Sequence, residues 1–131
     1  MLLKEEKELI KKAKELVQPT EIRGGEIKEA GCALITEKGE VFLGVNLDLN
    51  CGIGFCAEHS AISQMITRTE ETHIKTIVAV NDDGVSSPCG RCRELMSLLD
   101  AKNMETEIII SDNIKVKLKE LLPFPWNKQE K

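Results

Sequence analysis

The 131-residue chain has no tyrosine, one tryptophan and three phenylalanines, an aromatic content of 3%. So little aromatic surface argues against the base-stacking platform of single-stranded nucleic-acid binders. Basic residues are in the minority as well: 18 Lys and Arg against 22 Asp and Glu leave a net charge of −4. That sign offers no general attraction to a phosphate backbone, so nucleic acid is not an expected partner. No apolar run approaches the ~20 residues of a membrane span, so no membrane partner is expected either. The opening Met1-Leu2-Leu3-Lys4-Glu5 does not read as a signal peptide. Internal repeats, low-complexity segments and linkers are also missing. What remains is 41% hydrophobic and 31% charged, the composition of an ordinary globular protein. Its length suits a single domain over residues 1–131 with a substantial core.

Cysteine is not scarce. There are five, an odd number, and four of them (Cys51, Cys56, Cys89 and Cys92) fall in or beside two short segments. A reducing cytoplasm is the expected location, and metal binding or catalysis is a better use for these thiols than disulfides.

Leu2, Leu3, Leu9, Ile10, Ala13, Leu16 and Val17 recur at helical spacing among lysines and glutamates, predicting an amphipathic first helix that Pro19 ends. Residues 30–36 and 40–47 read as strands joined through Glu37-Lys38-Gly39, a hairpin. Residues 56–67 predict a helix that buries Ala57, Ala61, Ile62, Met65 and Ile66. Residues 74–80 form a β-branched strand closed by the turn sequence Asn81-Asp82-Asp83-Gly84. Residues 90–101 read as another helix, with Leu95, Leu98 and Leu99 inward, and 106–110 as a strand. Residues 114–122 are either a strand leading into a helix or a helix throughout, and the last nine residues, from Pro123, are expected to be irregular. Helix, hairpin, then alternating helix and strand give one α/β domain with a mixed sheet.

The chemistry concentrates in Cys56-Ala57-Glu58 and Pro88-Cys89-Gly90-Arg91-Cys92. Three thiols at these spacings suit one zinc ion per chain, with Cys56, Cys89 and Cys92 as its ligands. A structural zinc site normally takes four protein ligands, whereas three leave a position open. Water bound there becomes acidic enough to act as a nucleophile at neutral pH. Glu58, two residues past Cys56, is the candidate catalytic residue that moves its protons. Both segments open predicted helices, with Pro88 just outside the second. Helix N-termini bring partial positive charge to the thiolates, and Arg91, Arg93 and His59 are expected to add more. Attack of hydroxide on an amidine-like carbon would release ammonia, a hydrolytic deamination. The order of the two segments is the signature of zinc-dependent nucleobase deaminases.

Other readings stand beside this one. Cys51 as a fourth ligand would close the site into a non-catalytic zinc module that only binds a partner. The CxxC of Cys89 and Cys92 could be a redox pair, although no thioredoxin-like βαβ context surrounds it. His59 could be a ligand in place of a cysteine. Cys32, in an apolar strand, reads as core, His73 as surface, and Gly52-Ile53-Gly54 as a flexible turn. Asn46 and Asp48 alternate along the second strand and so share a face. An amide beside a carboxylate suits a pair of ribose hydroxyls, or is only a polar strand edge.

Together these residues resemble the small cytidine deaminase family, including its blasticidin S deaminase branch. The resemblance runs from about Ala30 to Trp126. It rests on Ala30-Gly31-Cys32-Ala33, Gly44-Val45-Asn46-Leu47-Asp48, Cys56-Ala57-Glu58, Ser87-Pro88-Cys89-Gly90-Arg91-Cys92-Arg93-Glu94-Leu95, and Leu121-Leu122-Pro123 before Trp126. It implies a three-layer α/β/α domain with a mixed five-stranded sheet, and deamination of the 4-amino group of a cytosine nucleoside or analogue. It also implies Asn46 and Asp48 as sugar-binding residues, and backbone N–H groups of Ala57 and Cys89 facing the site. Trp126 would cover the bound base from a neighbouring subunit of a homotetramer. Two departures stand out: Lys28 at the position of a base-contacting phenylalanine, and His59 where an arginine usually follows the glutamate. Cys92-Arg93-Glu94-Leu95 and the strand Thr76-Ile77-Val78-Ala79-Val80 lean toward the blasticidin branch.

Overall fold

The computed structural model describes residues 1–127. Helix α1 (Lys4–Leu16) turns Leu9, Ile10 and Ala13 inward and its lysines outward. Glu6 caps its start, its Oε1 accepting the Leu3 N–H at 2.8 Å. After Pro19 come β1 (Thr20–Ile22), β2 (Gly25–Thr36) and β3 (Val41–Leu49). Between β2 and β3 the Gly39 N–H donates to the Thr36 carbonyl at 2.9 Å, with φ of 94° at Gly39, a conformation that favours glycine. The chain continues through β4 (Gly54–Phe55), α2 (Ala57–Arg68), β5 (Ile74–Asn81) and β6 (Gly84–Ser86). It ends through α3 (Gly90–Leu99), β7 (Glu107–Ile109), β8 (Lys115–Lys117) and α4 (Leu118–Leu121).

One sheet runs in the order β4-β3-β2-β5-β7-β8, with β1 paired to β2 and β6 to β5. The β5–β7 pair is parallel and the others antiparallel, so the sheet is mixed as expected. The sheet thus has eight strands, three more than the five expected, with β1, β4 and β6 added to β3-β2-β5-β7-β8. Strands β1, β4 and β6 are two or three residues long, too short to show alternation in sequence. Strand β2 is buried on both faces. Cys32 and Leu34 pack with Phe42, Ala61, Ile62, Met65 and Met96 beneath α2 and α3. Ala33 and Ile35 pack with Leu9, Ile10, Ala13, Val78 and Val80 beneath α1. Helices therefore cover both faces, a three-layer α/β/α domain, and the uninterrupted apolar run 32–35 follows from that double burial.

Two expectations of which residues face inward need correction. Ile66 lies on the outer side of α2, 44% exposed, while Ala57, Glu58, Ala61, Ile62 and Met65 form its buried side. On α3 the core residues are Cys92 and Met96, one turn apart; Leu95 and Leu99 are half-buried and Leu98 is exposed. Once Cys92 is turned inward, the i, i+4 rule selects Met96, and Leu98 falls well round the helix. Arg93 clamps the loop before Cys89. Its Nε donates to the Pro88 carbonyl at 2.9 Å, Nη2 to Ser87 Oγ at 3.1 Å and Nη1 to the Leu121 carbonyl at 3.2 Å.

Residues 115–121 resolve the ambiguous stretch as a strand followed by a helical turn. From Pro123 to Asn127 there is no regular element, and residues 128–131 of the expected irregular tail lie outside the described residues. No helix among the described residues is long and apolar enough to cross a membrane.

Buried Asn103 fixes the position of α3. Its Nδ2 donates to the Met96 and Thr72 carbonyls, both at 2.9 Å, and its Oδ1 accepts the Ile74 N–H at 2.8 Å. One amide thus joins the helix that carries Cys92 to the start of β5.

Candidate metal centre

Cys56 and Cys89 occupy the N-cap positions of α2 and α3, each with extended backbone angles. The Cys56 carbonyl accepts the His59 N–H at 3.1 Å, and the Cys89 carbonyl accepts the Arg93 N–H at 3.0 Å. Cys92 lies on the first turn of α3, fully buried. Two helix N-termini therefore converge on one group of sulfurs, each contributing partial positive charge and free N–H groups. Sγ of Cys56 stands 3.6 Å from Sγ of Cys89, which stands 3.6 Å from Sγ of Cys92. All three lie within 4.8 Å of one another. Tetrahedral sulfur ligands at ~2.3 Å from zinc are roughly 3.8 Å apart, so the sulfur triangle has the size of one face of such a tetrahedron. The donor set fits a zinc ion.

Neither Cys51 nor His59 belongs to this group. Cys51 is exposed in the 3-10 turn Asn50–Gly52, with φ of 66°. Burial pushes the His59 imidazole below its ordinary range and nearby Arg91 lowers it further. Both effects disfavour the charged imidazolium that the sequence suggests. Its Nε2 is buried without a protein hydrogen-bond partner among the described residues.

Glu58 is 6% exposed on the inner side of α2. Burial raises its carboxyl above the ordinary range, outweighing the Glu58 backbone N–H and the Cys92 thiol. Burial also raises the thiols of Cys92 and Cys56, with the Glu58 charge adding to both. Cys89 goes the other way. Burial acts upward there, but the Cys92 N–H, the two neighbouring thiols and the Arg91 N–H carry it below its ordinary range. A coordinated cation is what turns such thiols into thiolates together. Cys32 is core, fully buried, its thiol raised first by burial and then by Glu58.

Beside Cys56 opens a cleft of about 290 Å³ lined by Asn46, Leu47, Asp48, Gly54, Phe55 and Arg91, among others. Asn46 and Asp48 share the face of β3 that Phe42 and Gly44 turn toward α2. Asn46 is half-buried and Asp48 exposed. A second cleft of about 420 Å³ runs along the outer side of α2 past His59, Ser60, Ser63 and Gln64, and shares Phe55 and Arg91 with the first. Phe55 was missed in the sequence. The available signal was its place next to Cys56 in a chain with so few aromatics. Lys28 sits in the β-bulge of β2, between Ile27 and Gly31, with φ of 63°, uncommon for a non-glycine residue. Trp126 and Phe124 are 77% and 86% exposed and line neither cleft. Within one chain, Trp126 is not brought to the site.

The family model for the cytidine and deoxycytidylate deaminase zinc-binding region matches residues 3–107, a span that contains all three thiols and Glu58. The chain belongs to this family. Among curated relatives, a probable cytidine deaminase of Dictyostelium discoideum is 36% identical over 67 residues. That match spans 49% of this chain and 45% of the relative, less than half the relative's length. Among solved deaminase structures, the cytidine deaminase of Mycobacterium leprae superposes with a TM-score of 0.65 at 28% identity, over 72% of this chain and 78% of that one. The cytidine deaminase of Burkholderia pseudomallei gives a TM-score of 0.73 at 21% identity, over 95% of this chain and all of that one. The second likeness is one of fold: the deaminase-family architecture extends over nearly the whole chain.

Proposed function

We propose that this protein is a zinc-dependent hydrolase that removes the 4-amino group from the cytosine ring of a small nucleoside, cytidine or deoxycytidine, and releases ammonia. The observation that carries this reading is the triangle of Cys56, Cys89 and Cys92 with the buried Glu58 carboxyl beside it. Three sulfurs with no fourth candidate ligand among the described residues argue against a closed zinc module. Cys56, Cys89 and Cys92 hold the zinc, which supplies Lewis-acid activation of water when bound. Glu58 takes one proton from the attacking water and gives it to the adjacent ring nitrogen, then takes the second from the new C4 hydroxyl and gives it to the departing amine. A carbon–oxygen bond forms at C4 first, the carbon–nitrogen bond breaks once the amine is protonated, and one water is consumed per ammonia released. A carboxyl raised by burial suits both roles, because its proton is held more firmly than on an exposed carboxylate and can still be returned. The N–H groups of Ala57 and Cys89, at two helix starts, serve as donors toward the reacting groups. Asn46 and Asp48 hold the sugar.

The exposed Trp126 supports a lid supplied by a second copy in a homotetramer, where burial of the ring over the base would account for its exposure on the single chain. All five cysteines are unpaired, the state a reducing cytoplasm maintains, and we place the protein there. The test is ammonia release from cytidine, deoxycytidine, cytosine and blasticidin S by the zinc-loaded protein and its Glu58→Gln variant. Glu58→Gln should keep zinc and fold while turnover falls by about 10²–10⁴-fold. Release from blasticidin S alone would move the assignment to that branch, and near-normal turnover in the variant would assign the proton transfers elsewhere.

A further inference from the structure

The bulge in β2 interrupts its ladder with β3 between Ile27 and Gly31. The Asn46 side chain bonds there: its Oδ1 accepts the Ala30 N–H at 2.9 Å. Its Nδ2 then donates to Glu29 Oε1 at 3.3 Å. These two partners demand opposite ends of the amide, an oxygen toward Ala30 and a nitrogen toward the carboxylate. Only one of the two flipped orientations of Asn46 satisfies both. The amide that lines the cleft beside Cys56 is therefore held in a single sense. One Oδ1 lone pair and one Nδ2 hydrogen remain for a ligand, the complement of one hydroxyl that both donates and accepts.

We infer that Glu29 is a positioning residue for sugar recognition, acting through Asn46 by fixing which atom of its amide meets the substrate hydroxyl. This rests on the reading of Asn46 as a sugar-binding residue. A purely structural Glu29 would influence folding alone, because its bond to Asn46 would then have no counterpart in substrate affinity. A positioning Glu29 influences only substrates that carry the hydroxyl.

The experiment compares kcat and KM for cytidine and 2′,3′-dideoxycytidine in the zinc-loaded wild type, Glu29→Ala, Glu29→Gln and Asn46→Asp, and in Asn46→Asp combined with Glu29→Gln. Zinc content and Tm are measured on each. Glu29→Ala should raise KM for cytidine about five- to tenfold, the effect of one hydrogen bond, with kcat little changed. KM for the dideoxy substrate should stay where it is. Glu29→Gln keeps an acceptor and should recover most of the loss. Asn46→Asp keeps the acceptor for Ala30 but places two carboxylates together, so it should weaken cytidine binding, and adding Glu29→Gln should restore part of it. Equal losses for both substrates, additive losses in the double variant, or a fall in Tm with unchanged KM would each overturn the role of Glu29. A wild type that turns over no nucleoside would overturn the proposed function itself, a result distinct from all of these.

Discussion

Gly44 of β3 and Ala61 of α2 approach so closely that a Cβ on the glycine would stand 2.4 Å from the Ala61 nitrogen. The same Cβ would meet the Ser60 Cβ at 2.7 Å and the Ala57 carbonyl oxygen at 2.8 Å. These are mostly backbone atoms of a helix and cannot move singly. Gly44→Ala must therefore push α2 off the sheet, and with it Cys56 and Glu58. We expect a loss of about 1–3 kcal/mol in denaturant unfolding and a larger proportional fall in ammonia release. Unfolding and turnover measured on the same preparation check both, and an unchanged unfolding midpoint would mean that α2 tolerates the shift.

Zinc retention distinguishes the four cysteines near the two segments. Cys89→Ser should lose most of the metal and destabilise the fold, because its sulfur lies 3.6 Å from both Cys56 and Cys92. Cys51→Ser should keep zinc and activity, since Cys51 is exposed and outside the sulfur group. Metal analysis of the purified variants decides between an open and a closed site, and loss of zinc from Cys51→Ser counts against the open one.

Glu6, 2% exposed on α1, accepts from Lys115 Nζ at 2.6 Å, and the same Nζ donates to Glu107 at 3.2 Å. Burial alone would raise the Glu6 carboxyl, but the Lys115 ammonium and the Leu3 N–H together hold it below its ordinary range. A depressed carboxyl contributes stability that is fully present above the unfolded-state pKa, about 4.3 for Glu. That contribution disappears as pH falls through the lower folded-state value. Acid unfolding should therefore steepen below pH ~4, and Glu6→Gln should flatten that limb. Stability measured against pH in the two proteins tests this, and parallel curves would mean the ion pair is not what resists acid.

Trp126→Ala should weaken nucleoside binding and reduce assembly if a second copy supplies the ring to the cleft. Stacking of an aromatic on a heterocycle contributes about 1 kcal/mol beyond its buried area, or a several-fold rise in KM. Solution mass and kinetics of the variant are the measurements. A chain that stays fully active as a monomer would rule out both the lid and its placement between subunits.

Much of the site was legible because its parts are local. A cysteine that ends an extended segment, followed by a carboxylate two residues on, is already placed at a helix start by helical geometry. CxxC puts two sulfurs on one turn for the same reason. Less legible were contacts that depend on distant partners. Arg93 reads as a positive charge near thiols, and its three nitrogens also donate to Ser87, Pro88 and Leu121 across the loop before Cys89. His59 reads as a cation, yet burial and Arg91 both disfavour its charged form. Leu98 reads as core in a leucine-rich helix, yet the inward turn of Cys92 hands that place to Met96.

Sequence by itself determined which three thiols could share one metal ion, the two helices that open on them and the α/β alternation, because thiol spacing and apolar period act over a few residues. Only the tertiary structure decided that the two helix starts meet, with sulfurs 3.6 Å apart, since Cys56 and Cys89 come together through the packing of α2 and α3 on one face of the sheet. It also decided that the Ala30 N–H, in the bulge at 27–31, donates to Asn46, which in turn engages Glu29. A bulge changes which backbone groups lack partners, and those groups find theirs across strands, where local pattern carries no information.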